Sequence, residues 1–124
     1  MNKKENMIGV IRQIDYLSKQ HSILYQGNLT KMEQSFTFET DDQVINVIQF
    51  LKTGVQIDRN GDMKTTIILP YNQLGVATAV HKFGQLQFTS KLLQSHYADG
   101  RWEIEYQLLQ QQEVVSHMYL RCEW

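Results

Sequence analysis

The chain has 124 residues, 42% of them hydrophobic and 20% charged, enough apolar material for one globular domain with one core. Twelve Lys and Arg against thirteen Asp and Glu leave a formal charge of -1, so no global field draws the chain to nucleic acid or to an anionic membrane surface. One cysteine, Cys122, excludes an intrachain disulfide or a thiolate cluster, and the opening Met-Asn-Lys-Lys-Glu-Asn leads into neither a signal peptide nor a membrane-spanning apolar run, so a cytoplasmic protein is expected.

Taken in chain order, Ile8, Val10, Arg12, Ile14 and Tyr16 share one face of a first strand. Ile23 to Leu29 reads as a second strand, with Gly27 marking a bulge or bend, and Ser35-Phe36-Thr37-Phe38-Glu39 as a short aromatic third. Between Asp42 and Gly54 the spacing of Val44, Val47, Ile48 and Leu51 allows a three-turn helix, but the β-branched run Val-Ile-Asn-Val-Ile-Gln-Phe favours strand. Val55-Gln56-Ile57 and the alternating Met63 to Leu69 flank Asn60-Gly61, a pair with favoured hairpin chemistry. Tyr71 onward reads as a loop leading into a short strand near Val76 to His81.

Alternation is strongest in the last third. Leu86, Phe88, Ser90 and Leu92 oppose Gln85, Gln87, Thr89 and Lys91; then, across Asp99-Gly100, Trp102, Ile104, Tyr106 and Leu108 oppose Arg101, Glu103, Glu105 and Gln107. After a turn at Gln110 to Gln112, Val114, Ser116, Met118, Leu120, Cys122 and Trp124 form the apolar side of a closing strand. Leu86, Phe88, Leu92, Trp102, Ile104, Tyr106, Leu108, Met118 and Leu120 are therefore expected on the inner face of a meander. Eight to ten short strands joined by tight hairpins predict an all-β, antiparallel, up-and-down barrel, a single domain over 1–124.

These strands resemble those of the YwiB-like small bacterial proteins. The likeness rests on Phe83-Gly84-Gln85-Leu86, on Gly100-Arg101-Trp102-Glu103-Ile104-Glu105-Tyr106-Gln107-Leu108, and upstream on Leu24-Tyr25-Gln26-Gly27 and Ser35 to Glu39. The resemblance implies a calycin-type, lipocalin-like barrel in the cytosol and brings no catalytic residues. Ile67-Ile68-Leu69 stands where the family pattern has Gln-x-Phe, and Ala79 where it has an aromatic, so any pocket lined by those positions differs here.

Chemistry-bearing residues are sparse. His21, His81, His96 and His117 show no ligand spacing, and Cys122 lies among apolar neighbours, so neither a metal, a cofactor nor a nucleophile is expected. Glu103 and Glu105, about 7 Å apart on one strand face, share it with Arg101 and Gln107 and read as an exterior meeting water rather than an enzyme's paired carboxylates. No basic and aromatic interleaving indicates nucleic acid. The remaining expectation is a small apolar or amphipathic ligand inside the barrel, met by Arg12, Tyr25, Trp102 and Tyr106. Arg12, if inward, would need a carboxylate partner or an anionic ligand; a bulge or a rim position would instead place it in water. The alternative is a filled core and a protein-interaction or assembly module working through its exterior.

Overall fold

The computed structural model describes residues 3–124. Ten antiparallel strands follow one another: β1 (Lys4–Asp15), β2 (Gln20–Met32), β3 (Ser35–Glu39), β4 (Ile45–Phe50), β5 (Gly54–Asn60), β6 (Lys64–Pro70), β7 (Gly75–His81), β8 (Gly84–Ala98), β9 (Arg101–Gln110) and β10 (Glu113–Glu123). Each pairs with its neighbours in sequence, and β1 also pairs with β10 (Val10 opposite Glu123 through Asp15 opposite Met118), closing an up-and-down barrel. This is the all-β, antiparallel up-and-down barrel that the strand spacing predicts. The ambiguous 42–54 segment resolves as strand β4 and the start of β5, where Ile48, Phe50 and Val55 are buried on one face. No helix long and apolar enough to cross a membrane occurs among the described residues.

Alternation sorts the side chains into lumen and exterior, and three bulges reset it. Leu24, Leu93 and Val115 are the extra residues, opposite Ile11/Arg12, between Tyr106 and Glu105, and between Leu109 and Leu108. On β1 the odd set faces inward: Ile11 is fully buried, while Ile8 is 68% exposed. The apolar set Ile8, Val10, Ile14 and Tyr16, which shares one face of the strand, therefore lines the exterior, and Arg12 goes with it. On β10 the bulge turns Val114 outward and restores Met118, Leu120 and Cys122 to the inner face. Of the nine residues expected inside the meander, Leu86 alone is largely exposed, because β9 does not reach alongside the first half of β8.

That offset arises where β8 changes partner, from β7 (Gly84 to Ser90) to β9 (Thr89 to Ala98). Ser90, fully buried at the crossover, donates its hydroxyl to the Ile68 carbonyl, since β7 pairs with β6 only as far as Ile67. Gly75 permits the approach: a Cβ there would collide with the Ile68 carbonyl oxygen and the Ser90 hydroxyl.

The hairpins use different turn chemistry. Asp99-Gly100 joins β8 to β9 as expected, with only Gly100 at positive φ (89°). The β5–β6 hairpin is also present, but Asn60 is its last paired residue and the connection is a three-residue loop, Gly61 to Met63, in which neither Asn60 nor Gly61 has positive φ. Gln111-Gln112, by contrast, forms the two-residue β9–β10 turn with both residues left-handed, at 53° and 68°.

The core has two unlike halves. At one end of the barrel Phe36, Phe50, Tyr97, Trp102 and Trp124 pack ring against ring, with centroids 4.8 Å apart for Phe36–Trp124 and 5.6 Å for Phe50–Trp102. A hydrogen bond from the Trp124 amide to the Gly100 carbonyl (3.0 Å) ties down the C-terminal end of β10 beside them. The other end is more open.

Candidate functional site

Toward that open end the inner face encloses a cavity of about 270 Å³. Its walls come from facing strands: Leu24 on β2, Phe38 on β3, Ile57 on β5, Ile67 on β6, and Leu108 and Leu120 on β9 and β10. These are alternating inward positions of the barrel, which is why the void is apolar for most of its depth.

Polar groups gather on one side of the mouth. Asn46 is buried, 4% exposed, because the β4 register points it inward; its Nδ2 donates to the Val44 carbonyl at 3.1 Å. Its Oδ1 accepts from Arg59 Nε at 3.2 Å, which holds the guanidinium against the cavity wall. Among the described residues no carboxylate oxygen lies within 4.0 Å of the Arg59 nitrogens. Arg59 and Thr65 line both the cavity and a groove of about 520 Å³ on the rim, where Asp42 and Asp62 lie, so the two spaces meet at those side chains. The Thr40 hydroxyl, donating to Asp42, holds that carboxyl below its ordinary range, and Arg59 adds to the effect.

Tyr106 faces the same cavity and is 8% exposed. Burial pushes its phenol up to about 12, partly opposed by the charge of Arg59, and its hydroxyl makes no hydrogen bond with the described residues. The site thus combines a mainly apolar chamber, a tyrosine hydroxyl without a protein partner, and a rim guanidinium whose terminal nitrogens have no carboxylate partner.

Of the four residues expected to meet a ligand, Tyr106 alone lines this chamber. Trp102 points inward but lies fully buried in the aromatic plug at the opposite end. Tyr25 also points inward, where it packs on Phe38 at 4.9 Å and donates its hydroxyl to the Asn28 carbonyl at 2.7 Å. Arg12 corrects the sequence reading: it lies outside the barrel with its side chain 55% exposed and meets Glu123 at 3.3 Å. The arginine that lines the chamber is Arg59, exposed at its rim. Its signal was present in the alternating set Val55, Ile57, Arg59, two of whose members are core residues.

Outside, Arg12 and Arg121 border a concavity of about 470 Å³ with Tyr119, Ile14 and Ile23, but both arginines already face Glu123, Arg121 Nε at 3.2 Å. His117, on the outer face of β10, packs on Tyr16 (4.5 Å) with its Nε2 2.6 Å from a Glu105 carboxylate oxygen; the other oxygen of that carboxylate accepts from Gln94 Nε2 at 2.7 Å. Both arrangements tie strands together across the exterior and leave no free polar group aimed into a chamber.

No protein-family model and no curated protein matches the chain in sequence. Among solved structures, the crystal structure of the ywiB protein from Bacillus subtilis matches with a TM-score of 0.63 at 13% identity, over 97% of this chain and 92% of that one. The fold is YwiB-like. At that identity the likeness concerns the path of the backbone, and the residues of the chamber are argued from this chain alone.

Proposed function

We propose that this protein is a binding protein rather than an enzyme, and that it holds one small apolar or amphipathic molecule in the barrel chamber. The observation that carries the reading is the chamber itself: about 270 Å³, walled by side chains from facing strands and open at one end. That is larger than the roughly 150 Å³ apolar cavity able to hold benzene and close to the lower end of ordinary ligand pockets, about 300 Å³. A molecule of one ring or a short chain matches it better than a sterol or a long lipid. An assembly module would have no need of such a space, and the exterior ion pairs supply no competing site. The absence of a recognisable catalytic constellation in the sequence is in keeping with carriage or sensing in a cytoplasmic setting.

The test has two arms. Protein purified from cells and transferred gently into a native mass spectrometer should carry an adduct of small-molecule mass, which Leu108→Trp, filling the chamber, should remove. With methyl groups labelled, a panel of small apolar molecules should shift the signals of Ile57, Ile67 and Leu120. A bare protein mass together with unmoved methyl signals would overturn the proposal and favour the assembly-module reading.

A further inference from the structure

We infer that the mouth of the chamber selects a monocarboxylate, so that the ligand is a short apolar acid whose tail fills the lumen and whose carboxylate rests on Arg59 and Tyr106; this rests on the lumen-binding reading and specifies it.

The inference begins with what the two groups lack. Arg59 has five N–H donors in a planar fork, and the structure uses one of them, Nε, on Asn46. That bond fixes the plane of the guanidinium and leaves the terminal nitrogens for a second planar group. A carboxylate has the matching geometry, with two oxygens able to accept in parallel. Tyr106, 8% exposed as a residue, lines the same void, and its hydroxyl makes no hydrogen bond with the described residues. A ligand acceptor entering the lumen can take the hydrogen bond of that hydroxyl, which a purely apolar molecule cannot. The phenol is neutral through the physiological range and can donate at any such pH.

The rim limits the charge of the head group. Asp42 and Asp62 line the groove that opens onto Arg59, and Asp42 stays ionised because the Thr40 hydroxyl and Arg59 both favour its charged form. One guanidinium against two carboxylates makes the rim net negative, so an anionic head group is repelled in proportion to its own charge and is held by the fork of Arg59. A phosphate monoester, carrying about -1.5 to -2 at pH 7, would meet up to about twice the repulsion that a carboxylate meets. The remaining walls are mainly apolar, with Ile57, Ile67, Leu108 and Leu120 among them and Gln13 and Ser116 as their polar members.

Three probes with one tail separate the contributions: octanoate, 1-octanol and octyl phosphate, titrated calorimetrically at low ionic strength and pH 7. Octanoate is expected to bind at least about tenfold more tightly than 1-octanol, and octyl phosphate no more tightly than octanoate. Arg59→Gln, which can still hydrogen-bond Asn46, should erase the preference for octanoate over 1-octanol. Tyr106→Phe should reduce it several-fold, and Arg12→Gln on the exterior should leave it unchanged. Should Arg59→Gln fail to fold, Arg59→Lys carries the test: it keeps the charge, loses the fork and should lose several-fold in octanoate affinity. Equal binding of octanoate and 1-octanol by the native protein, a preference that survives Arg59→Gln, or tighter binding of octyl phosphate overturns the inference while leaving lumen binding in place. Failure of all three probes to bind overturns both.

Discussion

Cys122 shows how far a single side chain's behaviour follows from where alternation places it. Fully buried between β1 and β9, its thiol is pushed up to about 12 from an ordinary 9.0, first by burial and then by the charge of Glu123. The thiolate is the reactive form, so native protein at pH 8 should resist alkylation by iodoacetamide, and modification should appear only at the rate of unfolding. Rapid labelling of the native state would contradict this. The same burial sets a sign for stability. Cys122 and Tyr106 both ionise more easily in the unfolded chain, at about 9 and 10, than in the folded one, at about 12. The unfolded state therefore loses protons first, and stability falls as pH rises through the interval from about 9 to 12. Tyr106→Phe should flatten that alkaline decline in urea titrations, whereas an unchanged slope would place the titration elsewhere. Both positions were legible in the sequence, because strict alternation in the last two strands fixes their face. Arg12 was misplaced for a physical reason: exterior β1 carries Ile8, Val10 and Ile14, so the apolar side of the strand is not the inward side, and hydrophobicity alone cannot separate the two when the lumen side includes Gly9 and Gln13.

At the scale of strands and turns, the hairpins were readable and their inner geometry was not. Dipeptides such as Asp99-Gly100 announce a reversal, but whether Asn60 turns or pairs depends on the register set by Ile57 opposite Ile67 and Val55 opposite Leu69, a tertiary matter. Bulges are equally hidden, because a single extra residue such as Leu93 looks like any other apolar residue in a strand. The β9–β10 turn yields a direct test. Gln111 and Gln112 both hold a left-handed conformation that costs a side-chain-bearing residue about 1–2 kcal/mol, so replacing the pair with Asn-Gly should stabilise the fold by about 1 kcal/mol and raise Tm by a few degrees. No change in Tm would mean that the turn is not held in this form. At the β8 crossover, Ser90→Ala removes the hydroxyl that satisfies the Ile68 carbonyl and should cost about 1–3 kcal/mol by urea denaturation. A neutral result there would mean that water replaces the serine.

For the molecule as a whole, the contrast between a packed end and a chambered end predicts an uneven response to truncation. Phe36 lies at the centre of the plug, with Phe50, Tyr97, Trp102 and Trp124 around it, so Phe36→Ala should cost about 3–5 kcal/mol. Leu108→Ala, beside existing free space, should cost less, since fewer neighbours lose contact. Equal costs would argue that the chamber is as tightly filled as the plug. Closure through β1 and β10 has a further consequence, one that concerns synthesis rather than the finished barrel. A ribosome delivers the first strand early and its partner last, so until residues Met118 to Glu123 have cleared the exit tunnel the edge from Val10 to Asp15 stays bare. Every hairpin from β2 to β9 can form locally in the meantime, but none of them can cover that edge. The species that chaperones and proteases encounter is therefore a nascent barrel that lacks its closing strand, sticky along the edges of β1 and β9, and the hazard ends when β10 pairs with both.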